Sequence, residues 1–370
     1  MLSYTVVVGL PVFFFFIANK FKSHRLEIIG LFIFSIILGL RYNFGVDYSG
    51  YYVNFNNINI LGDEEYKYTE PAFYYLNILF SHFSFNTMLF FIAVITLFLF
   101  YSRIKNEKNK TLIVFIFLVY SSSYLLQIIA LRQGIAAMIF FFSIEYINQR
   151  NFKKYFLGIL IATLFHNSAL ILIFVYFLKN VTRKILYIEL LGALVLSNYY
   201  ILHPILSVLE KVSFFSAYIK YLEYTKPIFG SGLGFAMTIL FAVILIYYYN
   251  RIRDERKIYY HIFILSLIIT ILGTSGLSVH RFELYFAFFA MIAIPELINS
   301  FQKRDNRIIL KMLVVLFLSM NFYLTIYKYQ HSQDPLAVEY LSEFKLIINS
   351  EDQWKNVTGS TFAIDGLFRG

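Results

Sequence analysis

The chain contains no cysteine and little charge, and each shortage excludes a class of protein. Without cysteine, its 370 residues can form neither a disulfide bond nor a thiolate metal site. Charged residues make up only 15% of the sequence, whereas hydrophobic residues make up 59%. A soluble domain of this length could not bury so much apolar surface. The composition therefore predicts an integral membrane protein.

The histidines give no sign of a metal site either. No two of them stand at the spacing of metal ligands; they occupy positions 24, 82, 166, 203, 261, 280 and 331. We therefore expect no dedicated metal site in this chain.

Long apolar runs recur along the first 330 residues. Five are near-continuous in Leu, Ile, Val and Phe: Val6–Ile17, Leu26–Leu40, Met88–Phe100, Phe235–Tyr249 and Ile308–Ile326. Runs close to 20 residues match the hydrocarbon thickness of a bilayer. We predict an all-α, polytopic membrane domain over residues 1–330, with about 11–12 transmembrane or re-entrant helices.

Positive charge is concentrated in six short segments beside the apolar runs. These hold 21 of the 32 Lys and Arg but only four of the 22 acidic residues. They are Lys20–Arg25, Arg103–Lys110, Arg150–Lys154, Lys179–Lys184, Arg251–Lys257 and Lys303–Lys311. Because basic loops are retained inside, we assign these segments to the cytoplasmic face. The net charge of +10 then reflects topology and contact with membrane lipids, and nucleic acid is not an expected partner.

The opposite face receives loops in which acids and bases are balanced. The main outward loops are residues 41–85, which include Asp63, Glu64 and Glu65, and residues 202–231. The polar tail, residues 331–370, is placed on the same face, with an amphipathic helix expected over Leu336–Asn349. Since basic residues follow the first run and none precedes it, the N-terminus is also placed outside.

Two apolar runs need an internal turn to keep this alternation. Leu112–Ile147 is predicted to turn at Ser121–Ser123, where hydroxyl groups can satisfy free backbone groups. Tyr155–Leu178 begins and ends beside basic segments, so we interpret it as two short helices that break at His166–Ser168. A single span with a miscounted neighbour is the alternative. Pro71–Phe83 is too short to cross and is expected along the outer interface.

Two arginines stand inside apolar runs near the outer face. Arg132 falls in the outer half of one inward-running helix, and Arg281 begins another. A charge within a membrane helix costs about 2.5–3.5 kcal/mol on insertion scales, so it usually faces a cavity or a partner. The guanidinium fork matches phosphate oxygens, and two such forks suit a diphosphate. The alternative is that each arginine pairs with a carboxylate such as Glu283 or reaches the outer interface.

A third motif follows the second apolar run and reads RYNFGVDYSGYYVNF, from Arg41 to Phe55. Asp47 is its only carboxylate and is a candidate general base. An ion pair with Arg41 that orders the loop is the alternative. Tyr48 and Tyr51 offer ring faces and hydroxyl groups to sugars, although interfacial tyrosines are also common in membrane proteins without such a role.

Two histidines complete the group of polar residues near the outer face. His166 lies in the apolar stretch LFHNSAL, which favours neutral imidazole, and it is a second candidate base. A structural histidine is the alternative. His280 directly precedes Arg281 and is a candidate sugar contact. Six polar residues thus map to the outer half of the membrane: Arg41, Asp47, Arg132, His166, His280 and Arg281.

In this order, the motifs resemble those of the EpsG-like branch of the Wzy polysaccharide polymerases. RYNFGVDYSGYY is followed by LRQGIAAMIFF, LFHNSALILIF and HRFELYFAFFAMIAIP, from about Leu40 to Pro295. One departure is Val46, since a small hydroxylated residue often precedes the aspartate in the family. The resemblance implies a GT-C-like, lipid-diphosphate-dependent glycosyltransferase that uses no metal and no other cofactor.

The resemblance also implies a substrate and a location. The substrate would be undecaprenyl-diphosphate-linked oligosaccharide, and the growing glycan would pass to the non-reducing end of a new lipid-linked unit. The enzyme would lie in the bacterial cytoplasmic (inner) membrane with its site toward the periplasm or cell exterior. Carried onto this sequence, the family pattern implies catalytic roles for Asp47 and His166. It implies diphosphate contacts for Arg132, Arg281 and Arg41. A chain-length regulator and a flippase are further expected partners.

Two other functions stay open on the sequence alone. A membrane O-acyltransferase of surface sugars would also use a membrane histidine and arginines, but its acyl-CoA site would face inward. A transporter or flippase for lipid-linked glycan would need charges through the full membrane depth and inverted repeats. We find no repeat, and the inner halves of the spans carry few charges: Glu145, Glu189 and Glu296, all near cytoplasmic ends.

Overall fold

The computed structural model describes residues 2–45, 47–61, 70–120, 129–211, 232–274, 280–331 and 345–346. Across these ranges the chain is almost entirely helical, which confirms the predicted all-α class. It divides into two compact units, one formed by Met1–Tyr101 with Tyr323–Gly370 and the other by Ser102–Phe322. The predicted division into one membrane domain, residues 1–330, and a polar tail, residues 331–370, stays a prediction.

In the described residues up to Ile104, the chain forms five helices and a short strand. Their bounds are α1 (Leu2–Phe21), α2 (His24–Gly39), β1 (Arg41–Tyr42), α3 (Tyr48–Leu61), α4 (Pro71–Ser81) and α5 (Phe85–Ile104). The predicted acids of the first outward loop, Asp63, Glu64 and Glu65, lie outside the described residues.

Among the residues described after Ile104, ten α-helices and three 3-10 helices follow. The α-helices are α6 (Lys110–Val119), α7 (Leu131–Asn148), α8 (Phe152–Phe165), α9 (Arg183–Leu196), α10 (Tyr199–Leu209), α11 (Leu233–Tyr248), α12 (Asp254–Gly273), α13 (His280–Phe286), α14 (Ala290–Asn299) and α15 (Arg304–Gln330). The 3-10 helices are Asn167–Asn180, Tyr249–Arg251 and Ala287–Phe289. The predicted corner at Ser121–Ser123 lies outside the described residues, between the end of α6 and the start of α7.

The described helices include six that are long and apolar enough to cross a bilayer, or seven if α9 and α10, bent by 95°, count as one span. The predicted 11–12 helices also included shorter and re-entrant ones, and the structure describes such elements in the 10 residues of α6 and the 14 residues of α8. The chain is an all-α, polytopic membrane protein, as predicted.

The long helices differ in how much of their surface the protein covers. In the span Phe282–Asn299, 83% of the residues are buried, so α13 and α14 lie at the centre of the second unit. In the span Arg304–Lys328, only 11% are buried, and apolar side chains such as Met312 and Leu316 are exposed. An exposed apolar helix surface on a membrane protein is suited to contact with lipid.

The run Tyr155–Leu178 folds back on itself, as predicted. Helix α8 ends at His166, whose backbone is extended (φ −156°, ψ 114°), and the 3-10 helix Asn167–Asn180 returns beside α8. The Tyr155 hydroxyl donates to the Leu172 carbonyl, and the rings of Phe152 and Tyr176 are 5.0 Å apart. These contacts close a helical hairpin with His166 at its tip.

One prediction for the tail is wrong. Lys345–Leu346, inside the segment expected to be an amphipathic helix, forms strand β2, which pairs antiparallel with β1. Arg41 stands opposite Leu346, and Tyr42 stands opposite Lys345. The backbone of β1 leaves α2 in an extended form with hydrogen-bonding groups available, and the tail satisfies them. The other residues of Leu336–Asn349 lie outside the described part of the chain.

The loop that starts at Arg41 is held in place by a close approach of α2 to α5. The Asn86 side chain donates a hydrogen bond of 2.7 Å to the carbonyl of Gly39, the last residue of α2. A Cβ added to Gly39 would lie 2.6 Å from the Cβ and 2.9 Å from the Cα of Phe90 on α5. Only glycine allows the two backbones to lie this close.

Gly39 and Gly50 therefore make a matched pair of variants. Gly39→Ala should destabilise the protein by about 1–3 kcal/mol, because the Phe90 backbone would have to move. At Gly50 an added Cβ meets no atom within 4 Å, so Gly50→Ala should be neutral or slightly stabilising. Thermal unfolding of the purified protein in detergent measures both effects. Equal melting temperatures for the two variants would contradict the close approach.

Candidate functional site

All five basic segments of the second unit meet at one end of it, which we call the basic end. The segment before α6 is linked to the start of α12 by the Arg256–Glu107 ion pair. It is linked to α15 by Lys311, whose ammonium group donates to the Asn109 side chain over 3.1 Å. The remaining segments join through the end of α7, because Lys179 donates to the Asn148 carbonyl over 2.6 Å. These contacts agree with a common cytoplasmic assignment for the basic segments.

Helix α14 also reaches the basic end. Arg253 donates two hydrogen bonds to Glu296, from Nε to Oε1 at 2.8 Å and from Nη2 to Oε2 at 2.7 Å. These hydrogen bonds raise the pKa of Arg253 above its ordinary value, so the ion pair is maintained. The Asn299 side chain accepts a hydrogen bond from Asn109 at 3.3 Å. The C-terminal ends of α7 and α14 therefore lie at the same end of the unit.

The direction of these helices places two predicted arginines at the opposite end. Arg132 lies in the first turn of α7, 16 residues before Asn148, or about 24 Å away at about 1.5 Å per residue. The Asn148 side chain donates to the Glu255 carbonyl at the basic end. Arg281 lies in the first turn of α13, which leads through a 3-10 turn into α14. Both helices thus run toward the basic end and begin far from it.

Aromatic packing shows that α7 and α13 run side by side. The rings of Phe140 and Phe286 are 6.0 Å apart, and those of Phe141 and Phe288 are 5.5 Å apart. Because the C-terminal ends of α7 and α14 both lie at the basic end, α7 and the continuous segment from α13 to α14 run parallel. Their first turns therefore lie at a similar level, as the sequence analysis expected for Arg132 and Arg281.

The tip of the helical hairpin reaches this same end. Helix α8 runs back along α7, and the two approach so closely that a Cβ on Gly158 would lie 2.1 Å from Ser143 Oγ. From this crossing, α8 continues for two turns to His166, which is half-buried. Just beyond the tip, the Ser168 hydroxyl is 2.9 Å from the Tyr285 hydroxyl. Tyr285 is fully buried and lies one helical turn after Arg281.

Three of the predicted motifs thus meet in the second unit: the start of α7, the hairpin tip and the start of α13. Arg132 is half-buried there, and the next residue, Gln133, is buried. His280 and Arg281 are the first two residues of α13. The roles predicted for these side chains stay predictions.

In the first unit, the side chain of Arg41 has a structural contact with the end of α2. Its side chain is only 2% exposed, and its Nη1 donates to the Leu38 carbonyl over 2.7 Å. A cation in this position satisfies a free carbonyl at the C-terminal end of α2 and complements the helix dipole. A substrate diphosphate would reach Arg41 only if this contact opened, so the structure favours a role in ordering the loop.

Asp47 is exposed and sits directly before α3. Its carbonyl accepts the hydrogen bond of the Tyr51 amide at 3.0 Å, which makes it the N-cap residue of that helix. Gly45 supplies the turn before it with a positive φ of 89°. Aspartate is among the favoured N-cap residues, so helix capping is an ordinary reason for its presence. Its exposure also leaves it accessible as a base.

The two tyrosines expected to bind sugar are packed inside the first unit. Tyr48 is 4% exposed, its ring lies 5.4 Å from that of Phe85, and its hydroxyl donates to the Arg41 carbonyl. Tyr51 is 8% exposed and packs against Phe73 at 5.6 Å. Other aromatic rings therefore already occupy their ring faces, and the sugar-binding role of Tyr48 and Tyr51 stays a prediction. A sugar would contact these tyrosines only if that packing opened.

Sequence reasoning missed Ser168 and Tyr285. Ser168 was treated only as part of a helix break, and Tyr285 was not singled out. One signal was available for Tyr285, since it follows Arg281 by four residues and therefore shares its helix face. The pairing of the two hydroxyl groups could not be foreseen, because it depends on a contact between residues 117 apart in the chain.

The Ser168–Tyr285 contact should be measurable as a coupling energy. Ser168→Ala and Tyr285→Phe should each destabilise the protein by about 1 kcal/mol, because each leaves the other hydroxyl without this partner. The double variant should cost less than the two single effects added together. Thermal unfolding of the four proteins in detergent gives the double-mutant cycle. Tyr75→Phe, at an exposed position, is the control for the loss of a hydroxyl group. Strict additivity would mean that the two side chains do not interact.

Comparison with known proteins gives one clear match. The model of the EpsG family matches residues 24–342, a range that contains every predicted site residue of both units. No curated protein matches the chain, and no solved structure matches it. The match extends over most of the sequence and confirms the resemblance drawn from the motifs. The chain belongs to the EpsG family, which is consistent with a polysaccharide polymerase.

Proposed function

We propose that this protein polymerises undecaprenyl-diphosphate-linked oligosaccharide repeat units at the outer face of the bacterial cytoplasmic membrane. The growing glycan is transferred from its lipid diphosphate to the non-reducing end of a new lipid-linked unit. The observation that carries the proposal is the meeting of three motifs in the second unit, at the end remote from its basic segments. Arg132, His166 and Arg281 belong to those motifs.

The orientation rests on the positive-inside rule. The basic end of the second unit gathers five Lys- and Arg-rich segments, which are retained in the cytoplasm. The end that bears Arg132 then faces outward. Lipid-linked repeat units are exposed on that face once they have been flipped, so substrate and site share one side of the membrane.

Arg132 and Arg281 are proposed to bind the diphosphate of the donor. Each guanidinium offers parallel N–H donors that match two phosphate oxygens. Placed at the starts of α7 and α13, they also add to the partial positive charge of two helix N-termini. Negative charge on the diphosphate increases as it leaves, so these fixed cations stabilise the transition state more than the bound donor.

The reaction is a displacement at the anomeric carbon of the donor glycan. The acceptor hydroxyl oxygen forms the new glycosidic bond as the bond from that carbon to the diphosphate oxygen breaks. Undecaprenyl diphosphate departs with the bonding electron pair, and a base takes the hydroxyl proton. A single displacement of this kind inverts the anomeric configuration, and no second carboxylate is assigned as a nucleophile.

His166 is our preferred base, with Asp47 as the second candidate. His166 lies at the hairpin tip, in the same unit as both diphosphate-binding arginines. It is half-buried, and its extended backbone projects it from the end of α8. Asp47 already has a structural reason for its position, as the N-cap of α3.

The structure also bears on the transporter alternative. A transport pathway needs ionisable groups that face a cavity within the membrane. The three acids near the inner ends of the helices are instead engaged with neighbouring side chains. Glu145 accepts from Tyr259 at 3.3 Å, Glu189 pairs with His261 at 2.9 Å, and Glu296 pairs with Arg253. These contacts favour structural roles for the three acids, so a polymerase agrees better with the structure than a transporter does.

Loss of either arginine should abolish long-chain polymer. Arg132→Ala and Arg281→Ala should lower the rate of transfer by about 10²–10³-fold, the usual effect of removing one fixed donor. Arg281→Lys should also be impaired, because an ammonium group cannot replace the bidentate fork. Each purified variant, given lipid-linked repeat units, should leave them as single units, whereas the wild-type protein should convert them into a ladder of polymers. Arg25→Ala, at an exposed basic position, is the control, and long polymer made by both alanine variants would refute the diphosphate assignment.

The choice of base can be tested with two variants that keep their local structure. His166→Gln should lower the transfer rate by about 10²–10⁴-fold, the range for loss of a general base. Asp47→Asn should have a smaller effect, because asparagine caps a helix as well as aspartate does. Transfer rates are compared at saturating lipid-linked substrate. The reverse order of effects would assign the base to Asp47.

A further inference from the structure

A cleft of about 730 Å³ opens at the basic end of the second unit. Its walls come from the segment before α6, the start of α12, the last turns of α14 and the first two turns of α15. It therefore lies at the opposite end of the unit from the proposed reaction site and takes no part in the transfer described above.

The charge of this cleft is strongly unbalanced. Two carboxylates line it, Glu107 and Glu296, against six basic side chains: Lys108, Arg253, Arg256, Arg304, Arg307 and Lys311. Four positive charges are thus in excess. Walls of one sign in a concave site focus the electrostatic potential, so the cleft attracts an anion.

Both carboxylates are already used within the protein. Arg253 holds Glu296 with two hydrogen bonds, and Arg256 pairs with Glu107. By contrast, Lys108, Arg304 and Arg307 form no ion pair or side-chain hydrogen bond with any residue that the structure describes. The excess positive charge therefore comes from side chains available to a ligand.

The basic residues on the first two turns of α15 share one helix face. Arg304, Arg307 and Lys311 are spaced three and four residues apart, with Ile308 between them. Lys311 is held toward the cleft by its hydrogen bond to Asn109. Helical spacing thus presents a row of positive charge along one wall, which suits an elongated or branched anion such as a phosphate ester.

The cleft also has an apolar side. Ile113, Ile292 and Pro295 are buried residues of its lining. Next to it, the other faces of α15 expose apolar side chains, with Met312 68% and Leu316 67% exposed. A fully water-soluble phosphate compound would make no use of these surfaces. A ligand with a phosphate group and hydrocarbon chains would use both.

We propose that this cleft binds the phosphate headgroup of an anionic membrane lipid, whose acyl chains lie along α15. Arg304 and Arg307 are the main headgroup contacts, and Lys108 and Lys311 add charge. This inference does not rest on the polymerase function, because it concerns the other end of the unit. A bound lipid would link α15 to the segment before α6 and to α14, all of which line the cleft.

The test uses the purified full-length protein in detergent and native mass spectrometry. Dioctanoyl phosphatidylglycerol is the probe, and dioctanoyl phosphatidylcholine is the neutral comparison lipid. The double variant R304Q/R307Q should bind phosphatidylglycerol about tenfold more weakly, with phosphatidylcholine unaffected. The control K153Q/K184Q removes the same charge from two exposed positions outside the cleft and should bind like the wild type.

Three results would overturn the proposal. The first is unchanged phosphatidylglycerol binding in R304Q/R307Q, and the second is an equal loss of binding in the control variant. The third is complete competition by inorganic pyrophosphate at the same concentration as the lipid, which would assign the cleft to a soluble phosphate compound. Should the double variant unfold at a lower temperature than the wild type, the single variant R304Q is used instead, because Arg304 is exposed at the start of α15. Unweakened binding in that variant would count equally against the proposal.

Discussion

The structure of the second unit depends on keeping charge at the two ends of its helices. Water is scarce in a bilayer, so a charged group is stable there only when it is paired or reaches an interface. At the basic end, charged groups form two ion pairs, Arg253–Glu296 and Arg256–Glu107. At the other end, Arg132 and Arg281 lie in the first turns of helices that run toward the basic end. In our proposal, the same physical constraint sets the topology and places these two cations where a substrate diphosphate binds.

The two ends of this unit are chemically different in a way that suits a lipid-dependent polymerase. The proposed reaction end combines a half-buried arginine, a histidine at a hairpin tip and a partly buried pair of hydroxyl groups from Ser168 and Tyr285. Fixed groups of this kind lose little energy to reorganisation during the reaction. The basic end combines a cationic cleft with exposed apolar surface on α15. We infer that one end acts on the lipid-linked substrate while the other fixes the protein among anionic lipids.

Sequence patterns were most successful where one strong physical rule applied. The bias of basic residues predicted which segments of the second unit meet, and the even number of crossings predicted the hairpin at His166. Burial was harder to foresee. Tyr48 and Tyr51 looked available for sugars, yet both pack against phenylalanines that are distant in the sequence, and Arg41 caps α2. Strand β2 could not be predicted, because two residues carry no periodicity and its partner is some 300 residues away. The juxtaposition of Arg41 and Asp47 with the second unit's motifs stays a prediction.

The outward position of the Arg132 end is the central claim, and labelling of single cysteines tests it most directly. The chain has no native cysteine, so a substituted thiol is the only one that reacts. Asn167 lies at the hairpin tip and Lys153 lies at the basic end, and both are exposed. In intact cells, a membrane-impermeant maleimide should label N167C but not K153C, and both should react after the membrane is opened. Labelling of K153C and protection of N167C in intact cells would contradict the account.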